Sequence, residues 1–285
     1  MTVKDSSMRF VVIGMKKAGT TFLHEQLRRL KFVQVPPLKE SHYLLPQRNA
    51  RKQVLYKNYL ESDQSLICNE MDRRFIERYF LDRGSASIKG YLDLLDAGCR
   101  ASGECDPELI LLDPPKIRDL KDAGVKVVCL LRNPVDRFFS HIKMIVADKT
   151  VNPNEVIREN FQQFQHQINH SLYRHTINNW VSIYGRENIF FVDQSALRDS
   201  RVRVINEIVE FITENSFHLG PDEILEDDVN VGSNWILESQ LRNELERVFH
   251  EDLLLYESIA ANPKHSGFIH HRSQGPVLVS GESRL

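Results

Sequence analysis

The chain has 285 residues, of which 41% are hydrophobic, so it can bury a sizeable core as one large domain or two small ones. Its 37 basic and 39 acidic residues give a net charge of −2, which excludes a chain-wide attraction to nucleic acid or anionic membranes. No apolar run approaches the roughly 18–20 residues of a membrane span, and the first residues lack the apolar core of a signal peptide. With no C-x-x-C pair among its four cysteines, the sequence predicts a cytoplasmic protein with reduced thiols.

Short β-branched runs alternate along the chain with longer segments of helical period, which is typical of an α/β fold with a parallel sheet. We therefore predict a single three-layer domain over residues 1–261, with a central, mainly parallel sheet flanked by helices. Residues 262–285 lose the periodicity and are predicted to form a loop or tail. The predicted strands are residues 9–14, 32–35, 66–69, 109–113, 125–131 and 188–193. The apolar helix stripes are Leu23, Leu27 and Leu30; Tyr173, Ile177, Trp180 and Tyr184; Val202, Ile205, Val209 and Ile212; and Leu237, Leu241, Leu245 and Val248.

The first predicted strand runs into the stretch GMKKAGTT, residues 14–21. A strand, a glycine-bearing turn and a helix N-terminus together form an anion site, because converging N–H groups and the helix dipole favour negative charge. The glycines match a Walker A loop, G-x-x-x-x-G-K-[ST], but Thr20 and Thr21 replace its Lys-Ser/Thr pair. Lys17 lies inside the loop, where it can fold over a bound anion. The alternative, a tight turn with surface lysines, explains the glycines but not the two threonines.

A second strand-to-helix segment, RNPVDRFFS at residues 132–140, has the same form. Asn133 is a favourable N-cap and Pro134 suits the first helical position, so Arg132 falls at the carboxyl end of a strand. An arginine there and Ser140 in the helix suit a phosphate, because hydrogen bonds between charged groups are strong. A capped helix whose Arg132 pairs with a neighbouring carboxylate is the alternative.

The two motifs, KKAGTTFL and RNPVDRFFS, together resemble the signature motifs of sulfotransferases that use 3′-phosphoadenosine 5′-phosphosulfate (PAPS). The resemblance implies a P-loop-like fold and transfer of a sulfuryl group to a hydroxyl or amine. It implies that Arg132 and Ser140 bind the 3′-phosphate and that Tyr173, in a segment similar to the family's S-x-Y unit, reaches the adenine ring; core packing is the alternative for Tyr173. The residues implied to bind the phosphosulfate are Lys16, Lys17, Ala18, Gly19, Thr20 and Thr21.

PPLKESHYLL, residues 36–45, is similar to the K-E-x-H-[FY] segment of the heparan-sulfate sulfotransferase branch. This implies that Glu40 is the catalytic base, that Lys39 contacts the acceptor, and that the acceptor is a carbohydrate or small metabolite. His42 is the rival base because imidazole titrates near neutrality. From spacing alone, a surface Glu40 paired with Lys39 is the alternative. GECDPELIL, residues 103–111, occupies the place of that branch's E-K-x-P-x-Y segment but departs from it at three positions.

The expected reaction is an in-line displacement in which Lys17 stabilises the leaving oxygen and no metal takes part. A kinase using ATP and magnesium is the main alternative, with residues 109–113 as a Walker B strand and Asp113 holding the ion. A nucleotide-binding module without activity is a third possibility. The histidines His265, His270 and His271 are expected to lie in a solvated tail rather than to bind a metal.

Overall fold

The structure, a computed structural model, describes residues 8–61, 69–82, 84, 86–95, 98–146, 150–226 and 234–261, and it centres on one parallel sheet. The strand order is β2-β3-β1-β4-β5, and every neighbouring pair is parallel. This confirms the predicted α/β class with a parallel sheet. The strands are β1 (Met8–Ile13), β2 (Val33–Gln34), β3 (Ala101–Cys105), β4 (Lys126–Leu131) and β5 (Ile189–Asp193).

Helices connect and flank these strands, and none among the described residues is long and apolar enough to cross a membrane. The α-helices are α1 (Thr20–Arg28), α2 (Arg48–Glu61), α3 (Glu70–Leu81), α4 (Ile88–Leu95), α5 (Pro114–Asp122), α6 (Pro134–Ile145), α7 (Pro153–Asn160), α8 (Gln165–Asn169), α9 (Tyr173–Tyr184), α10 (Gln194–Asp199), α11 (Arg201–Thr213), α12 (Ser239–Val248) and α13 (His250–Ala260). Short 3₁₀ helices cover Pro107–Leu111, Phe161–Gln163, Arg186–Asn188 and Pro221–Glu223.

The sheet is buried on both faces. All residues of β4 from Val127 to Leu131 are at most 1% exposed, and successive strand residues point to opposite faces, so helices cover both sides. Cys129 lies in this core. The predicted helix stripes are also buried, except that Val248 is 49% exposed at the end of α12 and Val202 is half-buried.

The prediction of a strand at residues 109–113 is wrong. Residues 107–111 form a 3₁₀ helix instead, which Asp106 caps by accepting the Glu108 N–H at 3.1 Å. The strand that occupies this part of the sheet is β3, whose sequence ASGEC has no β-branched residue. A glycine is required within it, because a Cβ on Gly103 would lie 2.2 Å from the Phe10 carbonyl oxygen in neighbouring β1.

Two further predictions fall mainly outside the described residues. Of the predicted strand 66–69 only Asn69 is described, and it is the N-cap of α3, where its side chain accepts the Asp72 N–H at 2.9 Å. The predicted tail at residues 262–285 also lies outside, so the domain boundary after residue 261 stays a prediction.

The strand order determines where a ligand can bind. From β1 the chain crosses to β2 on one side, returns to β3, and then crosses to β4 on the other side of β1. In open parallel sheets, ligands bind at the carboxyl ends of the strands, beside the point where the strand order reverses. The segments that follow β1 and β3 therefore border the expected binding crevice.

Candidate active site

A cavity of about 630 Å³ opens at the carboxyl edge of the sheet. Segments following all five strands line it: Lys16 after β1, Lys39 after β2, Pro107 after β3, Arg132 after β4 and Gln194 after β5. Cavities of about 300–1,000 Å³ are the size that small molecules and cofactors occupy. The sheet thus brings the predicted motifs together at one site.

The cavity is strongly cationic. Among the described lining residues, seven side chains are basic and one, that of Glu40, is acidic. An excess of one charge in a concave, partly desolvated site raises the local concentration of ligands of the opposite charge. The cavity is therefore suited to a ligand with several negative charges. The basic residues are Lys16, Lys17, Lys39, Arg132, Lys143, Arg198 and Arg201.

The loop between β1 and α1 is shaped to expose backbone N–H groups. Gly14, Lys17 and Gly19 have φ values of 57°, 70° and 96°, in the left-handed region. Leu23 N–H donates to Gly19 O at 3.0 Å, so the N–H groups of residues 20–22 have no partner within the helix. Thr20 and Thr21 line the cavity at this helix start, which is the geometry of an anion cradle.

The two loop lysines make different contacts. The Nζ atom of Lys17 lies 3.6 Å from Met144 Sδ. Burial lowers the pKa of this ammonium group, and the nearby charges of Arg132 and Lys39 lower it further. Lys16 also lines the cavity but forms an ion pair with Glu108. Lys17 is thus a partly desolvated cation whose charge a bound anion would stabilise. Ala18, between Lys17 and Gly19, is fully buried, does not line the cavity, and donates its N–H to Met15 O at 3.0 Å.

Arg132 joins the two motifs, because its Nη1 donates to Lys17 O at 2.9 Å. Its own carbonyl oxygen accepts a hydrogen bond from the hydroxyl of Tyr173 at 2.5 Å. Tyr173 is fully buried beneath Arg132 and does not line the cavity, so its contact with an adenine ring stays a prediction. Ser140 does line the cavity, whereas the neighbouring Arg137 is buried and donates to Ser171 Oγ at 2.7 Å.

The segment that follows β2 has an unusual backbone. Glu40 and His42 have φ values of 60° and 52°; with Lys17 they are three of the four described non-glycine residues with positive φ. Arg51 of α2 stabilises this conformation by donating to Glu40 O at 2.8 Å and to Lys39 O at 3.0 Å. Backbone strain held by surrounding contacts is concentrated at functional sites in proteins.

Two buried carboxylates also stabilise the backbone of this segment. Glu104 accepts the Ser41 N–H at 2.6 Å and the Ser41 hydroxyl at 2.9 Å, and Asp106 accepts the His42 N–H at 2.9 Å. Burial raises the pKa of both carboxyls. Neither residue was assigned a function from the sequence. The signal available was the spacing of two residues between Glu104 and Asp106, which places both side chains on one side of an extended chain.

We expect Asp106→Ala to lower the free energy of unfolding by about 1–3 kcal/mol, because it leaves the buried N–H groups of His42 and Glu108 without an acceptor. Asp106→Asn, which retains one side-chain oxygen, is expected to lose less. Urea unfolding at neutral pH measures both. Asp119→Ala, at an exposed position of α5, is the control and should change stability by less than about 0.5 kcal/mol. Equal stability of Asp106→Ala and the wild type would contradict this support role.

The carboxylate of Glu40 lines the cavity, is 19% exposed, and forms an ion pair with Lys39. Burial raises the pKa of this carboxyl, but the charges of Lys39, Lys16 and Arg51 outweigh burial and lower it below the ordinary value. Glu40 is therefore ionised at neutral pH. Glu40 thus pairs with Lys39, as the alternative interpretation of the sequence expects, and it lines the cavity as well.

The rival base, His42, is differently placed. Burial lowers its pKa to about 4, so the ring is neutral at physiological pH. Neither ring nitrogen has a hydrogen-bond partner among the described residues, and Nε2 lies 3.7 Å from Asp106 Oδ1. The ring does not line the cavity. Both residues could accept a proton, but of the two only Glu40 borders the cavity.

Three basic residues of the cavity were not found from the sequence. Lys143 lies one helical turn after Ser140 on α6, a spacing of three residues that places both on one helix face. Arg198 and Arg201 follow β5, which the strand-end rule would have indicated. In contrast, Asp113, the proposed magnesium ligand of the kinase alternative, is 56% exposed, pairs with Lys116, and does not line the cavity.

A family model described as "Sulfotransferase domain" matches residues 7–230. A sulfotransferase structure from Alicyclobacillus acidocaldarius matches with a TM-score of 0.61 and 21% identity, covering 89% of this chain and 96% of that one. The sulfotransferase domain from the curacin biosynthetic pathway has a TM-score of 0.49 and 13% identity, covering 86% and 97%. A sulfotransferase from Mycobacterium avium has a TM-score of 0.41 and 13% identity, covering 86% and 68%. Of these three, only the first exceeds a TM-score of 0.5, and it supports the fold alone. No curated protein matches the sequence.

Proposed function

The chain belongs to the sulfotransferase domain family, and from this premise we propose that it transfers the sulfuryl group of PAPS to a hydroxyl or amine acceptor. The observation that carries the proposal is the convergence of two anion-binding motifs on one cationic cavity. The hydrogen bond from Arg132 to Lys17 O connects them. A single anion would need one such motif, whereas a nucleotide with phosphate groups at two positions needs both.

The lining residues fit the charge of the donor. PAPS bears a phosphosulfate at the 5′ position and a phosphate at the 3′ position. The loop of residues 14–21 supplies N–H groups, two hydroxyls and Lys17 for the phosphosulfate, while Arg132, Ser140 and Lys143 are available for the 3′-phosphate. Because these basic groups can balance the charge of the nucleotide, donor binding does not require a metal ion.

The roles of Lys17 and Glu40 follow from the needs of an in-line displacement. As the sulfuryl group leaves, negative charge develops on the bridging oxygen of the donor, and a fixed cation such as Lys17 stabilises it. The acceptor must lose its proton, which an ionised carboxylate facing the cavity can take. Glu40 borders the cavity from the segment after β2, whereas Lys17 borders it from the loop after β1.

The similarity of residues 36–45 to the K-E-x-H-[FY] segment supports a carbohydrate or small-metabolite acceptor. Lys39, which lines the cavity beside Glu40, is proposed to contact that acceptor. The first experiment therefore offers sugars and small alcohols as acceptors.

The proposed reaction is tested by incubating the protein with ³⁵S-labelled PAPS, a panel of amino sugars, neutral sugars and small alcohols, and a chelator. We expect label to pass to at least one acceptor class in the presence of chelator, because lysine and backbone groups rather than magnesium bind the phosphosulfate. Parallel reactions contain ATP labelled at its γ-phosphate and magnesium. Magnesium-dependent phosphoryl transfer without sulfuryl transfer would contradict the proposal.

Arg132→Ala is expected to weaken binding of 3′,5′-adenosine bisphosphate by about 10–100-fold, since hydrogen bonds to charged groups contribute about 1.5–3 kcal/mol. Adenosine 5′-phosphate, which lacks the 3′-phosphate, should lose much less affinity. Calorimetric titration of both nucleotides gives the comparison, and Arg118→Ala, at an exposed position on α5, is the control. Equal losses for the two nucleotides would show that Arg132 acts only through its hydrogen bond to Lys17 O.

A further inference from the structure

Behind the Lys16 side of the cavity lies a cluster of metal-ligating groups that the proposed reaction does not use. Glu108 is in the 3₁₀ helix after β3, and His166 and His170 lie four residues apart on and just after α8. One ligand atom from each residue falls within 4.8 Å of the others. Four-residue spacing on a helix places two imidazoles on one face, which is a common arrangement for metal ligands.

The contacts within the cluster converge on one carboxylate. His166 Nε2 lies 3.4 Å from Glu108 Oε1, and His170 Nε2 lies 3.2 Å from Glu108 Oε2. The two imidazole rings meet edge to face with their centroids 4.9 Å apart. Both imidazole Nε2 atoms thus approach the same carboxylate, and a small adjustment of the half-exposed His166 would let one ion contact all three groups.

Two side chains of the cluster are buried, and the third reaches the surface. The side chains of His170 and Glu108 are 0% and 9% exposed, whereas that of His166 is 52% exposed and provides a route of entry. A metal ion binds imidazole in its neutral form, through a ring nitrogen that carries no proton.

We propose that Glu108, His166 and His170 form a binding site for a divalent transition-metal ion, with Zn²⁺ the best match. Two imidazole nitrogens and one carboxylate oxygen are a typical three-residue ligand set for zinc, which completes its coordination with water. Magnesium and calcium prefer oxygen ligands and would gain little from the two imidazoles. The site does not depend on the proposed sulfuryl transfer and supplies none of its chemistry.

Occupancy of this site would change the contacts of Lys16. In the structure, the ammonium group of Lys16 forms an ion pair with Glu108, and the same side chain lines the cavity. A dication on Glu108 repels that ammonium group and competes for its carboxylate oxygen. Metal binding therefore releases Lys16 from Glu108 and couples this site to the loop of residues 14–21.

The test uses the full chain after removal of metals, with Zn²⁺ titrated by calorimetry and Co²⁺ followed by its visible absorption. We expect one Zn²⁺ per chain with micromolar or tighter affinity, and Co²⁺ absorption bands of a four- or five-coordinate site. His166→Ala and Glu108→Gln should each weaken binding about 100-fold or more, since changes even in groups that only support metal ligands cost about 10–100-fold. Lys16→Met should tighten Zn²⁺ binding several-fold by removing the competing cation.

Two control variants locate the bound ion. His175→Ala removes an exposed histidine of α9, and the combined His265→Ala, His270→Ala and His271→Ala variant removes the histidine-rich segment near the end of the chain. Both should bind Zn²⁺ as the wild type does. Binding that persists in His166→Ala but disappears in the triple variant would overturn the proposal, as would the absence of binding below millimolar Zn²⁺. Because His166 is half-exposed, its substitution should leave the thermal unfolding of the metal-free protein unchanged.

Discussion

Glu40→Gln is expected to lower the rate of sulfuryl transfer by about 10²–10⁴-fold, the usual contribution of a general base. Glutamine keeps the size and hydrogen-bonding capacity of the side chain but cannot accept a proton from the acceptor. The binding of 3′,5′-adenosine bisphosphate should remain intact or tighten, because the substitution removes the single carboxylate among the described residues that line the cavity. Single-turnover rates and calorimetric titration separate these two effects.

His42→Ala is the informative comparison for Glu40→Gln. The ring of His42 does not line the cavity, so we expect His42→Ala to retain most of the transfer rate. If His42→Ala abolished transfer and Glu40→Gln did not, the base would be His42. If both variants were fully active, neither residue would be the base.

The pH dependence of transfer follows from the same two groups. The lowered pKa of Glu40 means that the base becomes ionised, and transfer becomes active, as pH rises through a value below the ordinary 4.5. The lowered pKa of Lys17 means that its positive charge is lost, and transfer declines, as pH rises through a value below the ordinary 10.5. In Glu40→Gln the acidic limb of the rate profile should disappear while the alkaline limb remains.

Lys17→Ala is expected to lower turnover by about 10²–10³-fold, similar to the loss of one group that stabilises a developing negative charge. The effect on the affinity for 3′,5′-adenosine bisphosphate should be smaller, because Arg132, Ser140 and the loop N–H groups remain. Steady-state and single-turnover kinetics with PAPS measure the change. Lys31→Ala, at an exposed position beyond the end of α1, is the matched control and should behave as the wild type.

Lys17 has a φ of 70°, in the left-handed region, so a substitution there can change the loop backbone as well as remove the charge. Lys17→Gly accommodates this conformation without strain and removes the ammonium group, so it should lose as much activity as Lys17→Ala. An active Lys17→Gly variant would assign the loss in Lys17→Ala to a distorted loop rather than to the missing charge.

The central strands of the sheet were predictable because their sequences are continuous and apolar. β1, β4 and β5 are buried runs rich in Val, Ile, Leu and Phe, and the strand signal in them is strong. β3 was missed because ASGEC carries no such signal; it is a strand because Gly103 permits close contact with Phe10 and β1 pairs with it along its length. Tertiary pairing, not local propensity, specifies this strand.

The proposed donor-binding part of the site follows from local sequence, whereas the contacts that support it do not. Strand-to-helix motifs at residues 14–21 and 132–140 place Lys17 and Arg132 at the same sheet edge, where the structure has them in contact. The hydrogen bond from Tyr173 to the carbonyl of Arg132 joins residues 41 positions apart. No local pattern encodes such a contact, and for the same reason the approach of Glu108 to His170, 62 positions away, was not predicted.

Calorimetric titration with 3′,5′-adenosine bisphosphate, beside ATP with magnesium, tests the central claim most directly because it needs no knowledge of the acceptor. The two proposed anion-binding motifs and the seven basic side chains of the cavity predict tight binding of the bisphosphate in the presence of chelator and little binding of ATP. Tight, magnesium-dependent binding of ATP with no binding of the bisphosphate would contradict the proposed donor and the roles derived from it.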